Sequence, residues 1–178
     1  MPSRSKAVKA AYLGLLLALA VVMGYVEYRI PFHLGIPGVK LGLSNIVIVI
    51  TLYELGALPA LLISVLRVGI VALLFGSPVS ALYGLAGTGF SLLVMTVLHR
   101  TDRFSLIAVS AAGGAAHELG QILTAALLLK SSAVFYYLPV LLIAGELTGA
   151  LIGFVAALLH RTLKKMEKGK RSERGDQE

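Results

Sequence analysis

The stretch PGVKLGLSNIVIVITLYELG, residues 37–56, decides how many times the chain crosses a membrane. Its aliphatic part alone is too short for a hydrocarbon core about 30 Å thick, which takes about 20 helical residues. Counted back from Glu54, a full span must begin near Pro37 and therefore takes in Lys40, Ser44 and Asn45. Lys40 then lies at the membrane boundary, where a long stem lets its ammonium reach water. Asn45, about 7 Å deeper, has no such escape and is expected to face the bundle interior, bonding another helix or touching a ligand. Gly38 and Gly42 leave room for close backbone approach at the same level. The stretch reads as the rim and upper wall of a pocket that opens away from the cytoplasm.

The rest of the chain agrees with a membrane setting. Of 178 residues, 57% are hydrophobic and 14% charged, against roughly 25% charged in a soluble domain. The apolar runs do not alternate with polar residues, which argues against a transmembrane β-barrel. Windows of about 19 residues place spans near 7–28, 38–55, 58–75, 78–98, 104–129 and 134–159. The expected fold is an all-α membrane protein of six transmembrane helices in one domain over residues 1–165, followed by a charged tail over 166–178 that is expected to be disordered from about Lys168. The first run ends in GYVEYRIP without a small-residue cleavage site, so it is read as a retained helix. Pro59 and Pro78 suit the first turns of the helices they enter. With no cysteine in the chain, disulfides and thiolate chemistry are excluded.

Basic residues set the orientation. Arg4, Lys6, Lys9, Arg100, Arg103 and the seven Lys or Arg residues after His160 fall on one side, against Arg29, Lys40 and Lys130 on the other. Positive charge gathers in cytoplasmic loops, so both termini are expected there. The net charge of +7 is thereby explained by topology and contact with anionic lipid, without nucleic acid. Most of the tyrosines lie near span ends, where amphipathic rings anchor.

Charged groups in mid-membrane carry the functional signal, because each costs about 2.5 to 3.5 kcal/mol on insertion scales. Arg67, Glu118 and Glu146 all fall near the middle of their spans and are expected to come together, either as an ion pair holding the bundle or as a ligand site. His117, Gln121 and Thr124 make one stripe beside Glu118, which must face protein or a water-filled cavity. No metal site is expected: His33 has no second ligand at suitable spacing. Two small-residue stripes stand out. Ala7, Ala11, Gly14 and Ala18 share a face of the first span, and Gly145, Gly149 and Gly153 share a face of the last; such faces serve internal packing or dock a partner helix. GLAGTG, residues 84–89, lacks the Lys-Ser/Thr ending of a phosphate loop and lies within an apolar helix.

PGVKLGLSNIV, followed by a span with Arg67, a His-Glu pair in the fifth span and a glycine-rich sixth, resembles the Gx transporter family, also catalogued as heptaprenyl diphosphate synthase component I. That family is similar in fold to the substrate-binding S components of energy-coupling factor transporters. The resemblance covers about residues 7–165. It implies a substrate-binding membrane subunit of a prokaryotic plasma membrane, taking a small molecule, isoprenoid- or quinone-related, from the outer side. The residues placed there are Lys40, Asn45, Arg67, His117, Glu118, Gln121 and Glu146. Ala7, Ala11, Gly14 and Ala18 would dock a transmembrane coupling subunit that works with ATPases. The synthase name implies a different role, as an accessory subunit beside a prenyl synthase or a flavoprotein of a quinone-linked system. Prenyl transfer itself needs clustered aspartates holding magnesium, and the chain has only Asp102 and Asp176, so it is not expected to be an enzyme. A self-sufficient proton-coupled carrier using Glu118 and Glu146 is a third reading. No cofactor is implied by any motif.

Overall fold

The computed structural model describes residues 6–29 and 41–175, with side chains described as far as Met166. The described residues form six α-helices: α1 (Lys6–Arg29), α2 (Leu43–Leu55), α3 (Ala57–Phe75), α4 (Pro78–Arg100), α5 (Leu106–Leu129) and α6 (Leu138–Gly175), with a short 3-10 helix over Ser132–Tyr137 before α6. α1, α3, α4 and the helical stretch through α6 are long and apolar enough to cross a membrane. α5 is equally long, but His117, Glu118 and Gln121 interrupt its apolar middle. α2 has only 13 residues, about 20 Å of helix.

Local chemistry explains where the helices start. Ser77 and Ser80 cap α4 reciprocally, each side chain taking the other's backbone amide at 3.1 and 2.9 Å, with Pro78 at the first helical position. Ser105 accepts from the amide of Ala108 at 3.2 Å to start α5. Gly56, at φ 93, makes the one-residue turn from α2 to α3, a backbone shape that a side chain would oppose. α6 continues as a helix to Gly175, through most of the charged tail. Its Lys, Glu and Arg residues are good helix formers, and extending an existing helix avoids the unfavourable nucleation step.

The helices run around the bundle in the order α2, α3, α4, α5, α6 and back to α2, with α1 lying across α2 and α3. α2 is the most enclosed, burying Ser44, Val47, Ile48, Val49, Thr51 and Leu52. The apolar core draws on all six helices through Leu16, Ala20, Val49, Leu52, Ala60, Ile63, Leu92, Met95, Val109, Ile152 and Ala156. All of these lie in the half of the bundle nearer the chain termini. The other half holds the interior charged groups Arg67 and Glu118, above a largely apolar floor in which Thr51, Ser64 and Ser110 are also buried.

The two small-residue stripes have opposite fates. Gly145, Gly149 and Gly153 lie against α5, where an added Cβ would stand 2.7 Å from the Gly114 carbonyl oxygen, 2.5 Å from that of Ser110 and 2.9 Å from the Ile107 Cα. Ser110 Oγ donates across this seam to the Gly149 carbonyl at 2.7 Å. Ala7, Ala11, Gly14 and Ala18 instead face out of the bundle, and an added Cβ at Gly14 would meet no atom within 4 Å.

Candidate functional site

The polar half is organised around the start of α2. The helix begins at Leu43, not near residue 38, because Gly42 is left-handed at φ 73 and closes the helix on that side. Any side chain at 42 would also strike Ile152 and Asn45. Ile152 lies well along α6, so α2 starts inside the bundle and not at its rim. A helix that begins there has amides without partners of its own, and burial in hydrocarbon makes each one costly to leave unpaired. The Gly42 amide is satisfied by the Glu27 carboxylate from the end of α1. The Asn45 amide turns back to the Gly42 carbonyl at 2.7 Å. Glu27 thereby also places negative charge at the positive end of the α2 dipole.

Arg67 reaches the same point from the middle of α3. Its guanidinium donates to Ser44 Oγ in the first turn of α2, and the carboxylate whose charge bears on it is Glu27. Its Nε is buried and has no hydrogen-bond partner among the described residues. Glu27, Gly42, Ser44 and Arg67 thus tie three helices together at one level. The expected meeting of Arg67 with Glu118 and Glu146 is corrected here: Arg67 turns to α1 and α2. The reason is packing, because α3 lies against α1, α2 and α4, whereas Glu118 belongs to the seam between α5 and α6.

A second polar group sits on α5. Glu118 is buried, at 6% exposure, and its stem lies against Gly145 of α6. His117 points the other way, onto Gly87 of α4, where a Cβ would come within 2.8 Å of the ring. Gln121 Nε2 lies 3.0 Å from His117 Nε2. The glycines at 87 and 145 are therefore seats for the two polar side chains, and GLAGTG lies within α4 as a packing surface. Thr124 spends its hydroxyl on the Gly120 carbonyl at 3.0 Å. Glu146 directly follows Gly145 but is exposed on the surface of α6. Asn45 is part-buried and folds over Gly42. Lys40 lies outside the described residues.

Sequence reasoning missed two features. Glu27, near the end of its span, looks like an ordinary boundary residue; the signal for it was Arg67, which needs a counter-charge. The other is a cluster at the opposite end of the bundle. Tyr53 of α2 stacks on His99 of α4 with ring centroids 4.2 Å apart and meets His160 of α6 edge-on at 5.8 Å. His160 Nδ1 lies 2.6 Å from Glu54 Oε1, within ion-pairing distance but without the alignment of a hydrogen bond. This cluster ties α2, α4 and α6 together beneath the apolar floor. Taken singly, none of its residues differs from an interfacial side chain.

A family model described as heptaprenyl diphosphate synthase component I matches residues 16–159. The chain belongs to that family. The matched segment runs from within α1 to near the His160 pair and so includes the α2 start, the α5 polar group and the glycine seam. No curated protein and no solved structure matches the chain.

Proposed function

We propose that the chain is a non-catalytic membrane subunit that works in a complex, with α1 as its docking helix. The observation that carries this is the outward-facing stripe of Ala7, Ala11, Gly14 and Ala18, left open while the matching stripe of α6 is consumed inside the bundle. Small residues on a lipid-facing helix allow a second helix to approach closely, the main source of attraction between helices in lipid. The family name supports a prenyl synthase as the partner. Magnesium-dependent diphosphate chemistry would belong to that partner, since this chain has two isolated aspartates. In this reading all six helices lie in the plasma membrane of a prokaryote, with both termini cytoplasmic and α2 and α5 held within the bundle.

A second reading is favoured by the start of α2. Half-length helices that begin inside a membrane bundle are a recurrent way to present backbone amides to a substrate. Here Arg67, Ser44 and Asn45 surround such a start, with Lys40 near in sequence. This supports an outer-side site for a small molecule, as in an S component whose transport is driven by a coupling subunit and ATPases. His117, Glu118 and Gln121 would line its deeper wall. Glu146, being exposed, fits a partner contact better than this wall, which also weakens the self-sufficient proton carrier.

Affinity purification from native membranes separates the two. Co-purification of a prenyl synthase or a flavoprotein supports the accessory subunit, and co-purification of a coupling subunit with ATPases supports the transporter. Gly14→Leu is expected to remove the partner in either case while leaving the thermal midpoint of the purified chain unchanged. Partner recovery equal to wild type would remove α1 as the docking helix.

A further inference from the structure

A cleft of about 650 Å³ runs along the seam of α4 and α5, from the level of Gly120 to Lys130, and we infer that it holds one anionic phospholipid of the surrounding bilayer. Its deep end is formed by Phe90 and Gly120, its walls by Ala86, Leu123 and Leu127, and its mouth by Lys130 with Ser131 and Ser132. From Gly120 to Lys130 is about 15 Å of helix, which is about half of a hydrocarbon core roughly 30 Å thick. The cleft therefore has the depth of a single leaflet.

Polarity is graded along it as an amphiphile requires. The one hydroxyl on the wall, that of Thr124, is turned back onto the Gly120 carbonyl at 3.0 Å and is not offered to the cleft. The hydrophilic groups gather at the mouth. Tyr136 and Tyr137, 88% and 64% exposed just beyond it, mark the headgroup level. Lys130 supplies the only charge among the lining residues, and no carboxylate lines the cleft. It also closes α5 in a left-handed conformation, at φ 49, so its backbone is fixed at the mouth. Unbalanced positive charge there selects an anionic headgroup over a zwitterionic one. The open side, where Phe90 and Leu127 are exposed, faces hydrocarbon, so a chain can enter laterally from the leaflet.

The test compares lipid retention by native mass spectrometry after equal exposure of the full chain to phosphatidylglycerol and to phosphatidylcholine of the same acyl chains. The wild type is expected to retain phosphatidylglycerol about five-fold better, the effect of about one lysine near an anionic surface. Lys130→Asn removes the charge while tolerating the left-handed backbone, and is expected to abolish the preference; Lys130→Arg is expected to keep it. Ala86→Phe, which fills the cleft from the α4 side, is expected to reduce retention of both lipids. Equal retention of the two lipids by the wild type, or an unchanged preference in Lys130→Asn, would overturn the site. Displacement of bound phosphatidylglycerol by an equimolar isoprenyl phosphate would overturn the phospholipid as its occupant.

Discussion

Gly114→Ala is expected to be the most damaging glycine-to-alanine change among the described residues. The added Cβ would run into the carbonyl oxygen of Gly145 and stand 3.0 Å from the Cα of Gly149. These are backbone atoms of α6, so no rotamer change can relieve the clash, and the two helices must separate. Separation stretches the Ser110 hydrogen bond to Gly149 and withdraws the Gly145 seat from Glu118. Overpacking of this kind typically costs about 1 to 3 kcal/mol, and a clash against backbone belongs at or beyond the upper end. Gly89→Ala is the matched control, because an added Cβ there meets nothing within 4 Å. In a helix interior that change is expected to stabilise by up to about 1 kcal/mol. Thermal unfolding of the two variants in one detergent should therefore move in opposite directions from wild type. If both moved alike, the close approach of α5 and α6 would be wrong.

Arg67→Met is expected to have the second largest effect. Arg67 donates a charged hydrogen bond to Ser44 Oγ inside the bundle, and the loss of such a bond costs about 1.5 to 3 kcal/mol. Arg67→Met takes the guanidinium away from the Ser44 hydroxyl and from the neighbourhood of the Glu27 carboxylate, so the α2 start loses its link to α3. The double variant Glu27→Gln, Arg67→Met should be less destabilised than the sum of the two single changes. That non-additivity is the signature of a direct coupling. Strict additivity would show that Glu27 is not the partner of Arg67. Glu118→Gln combined with Arg67→Met serves as the comparison and is expected to add without coupling, because Glu118 lies against Gly145 of α6 whereas α3 packs chiefly on α1, α2 and α4.

How far the sequence reveals this arrangement depends on whether a feature is local. The helices and their breaks follow from hydropathy and from Pro59, Pro78 and the serine caps, all of which act within a few residues. The inward stripe of α6 is also legible, since three glycines at spacing four can serve a close contact. What the stripe touches is not written beside it, and the same pattern on α1 points out of the bundle. The start of α2 is illegible for a related reason. Hydropathy demands a full span beginning near Pro37, but Gly42 turns left-handed because Glu27 and Ile152 occupy its surroundings, and these come from other helices. Arg67 is recognisable as a residue that needs a partner; which carboxylate answers it depends on the packing of α3 against α1. The seats of His117 and Glu118 likewise exist only once Gly87 and Gly145 are brought opposite them.

The absence of cysteine from these 178 residues offers a direct test of the docking helix. Gly14→Cys places a lone thiol in the outward stripe of α1, and Leu66→Cys places one on the exposed face of α3 for comparison. A photoactivatable maleimide attached at position 14 in native membranes is expected to yield one discrete adduct with a different polypeptide, while the same label at exposed Leu66 on α3 yields none. Labelling at position 14 that gives no adduct, or adducts no more discrete than those from position 66, would contradict the assignment of α1 as the face on which a partner subunit docks.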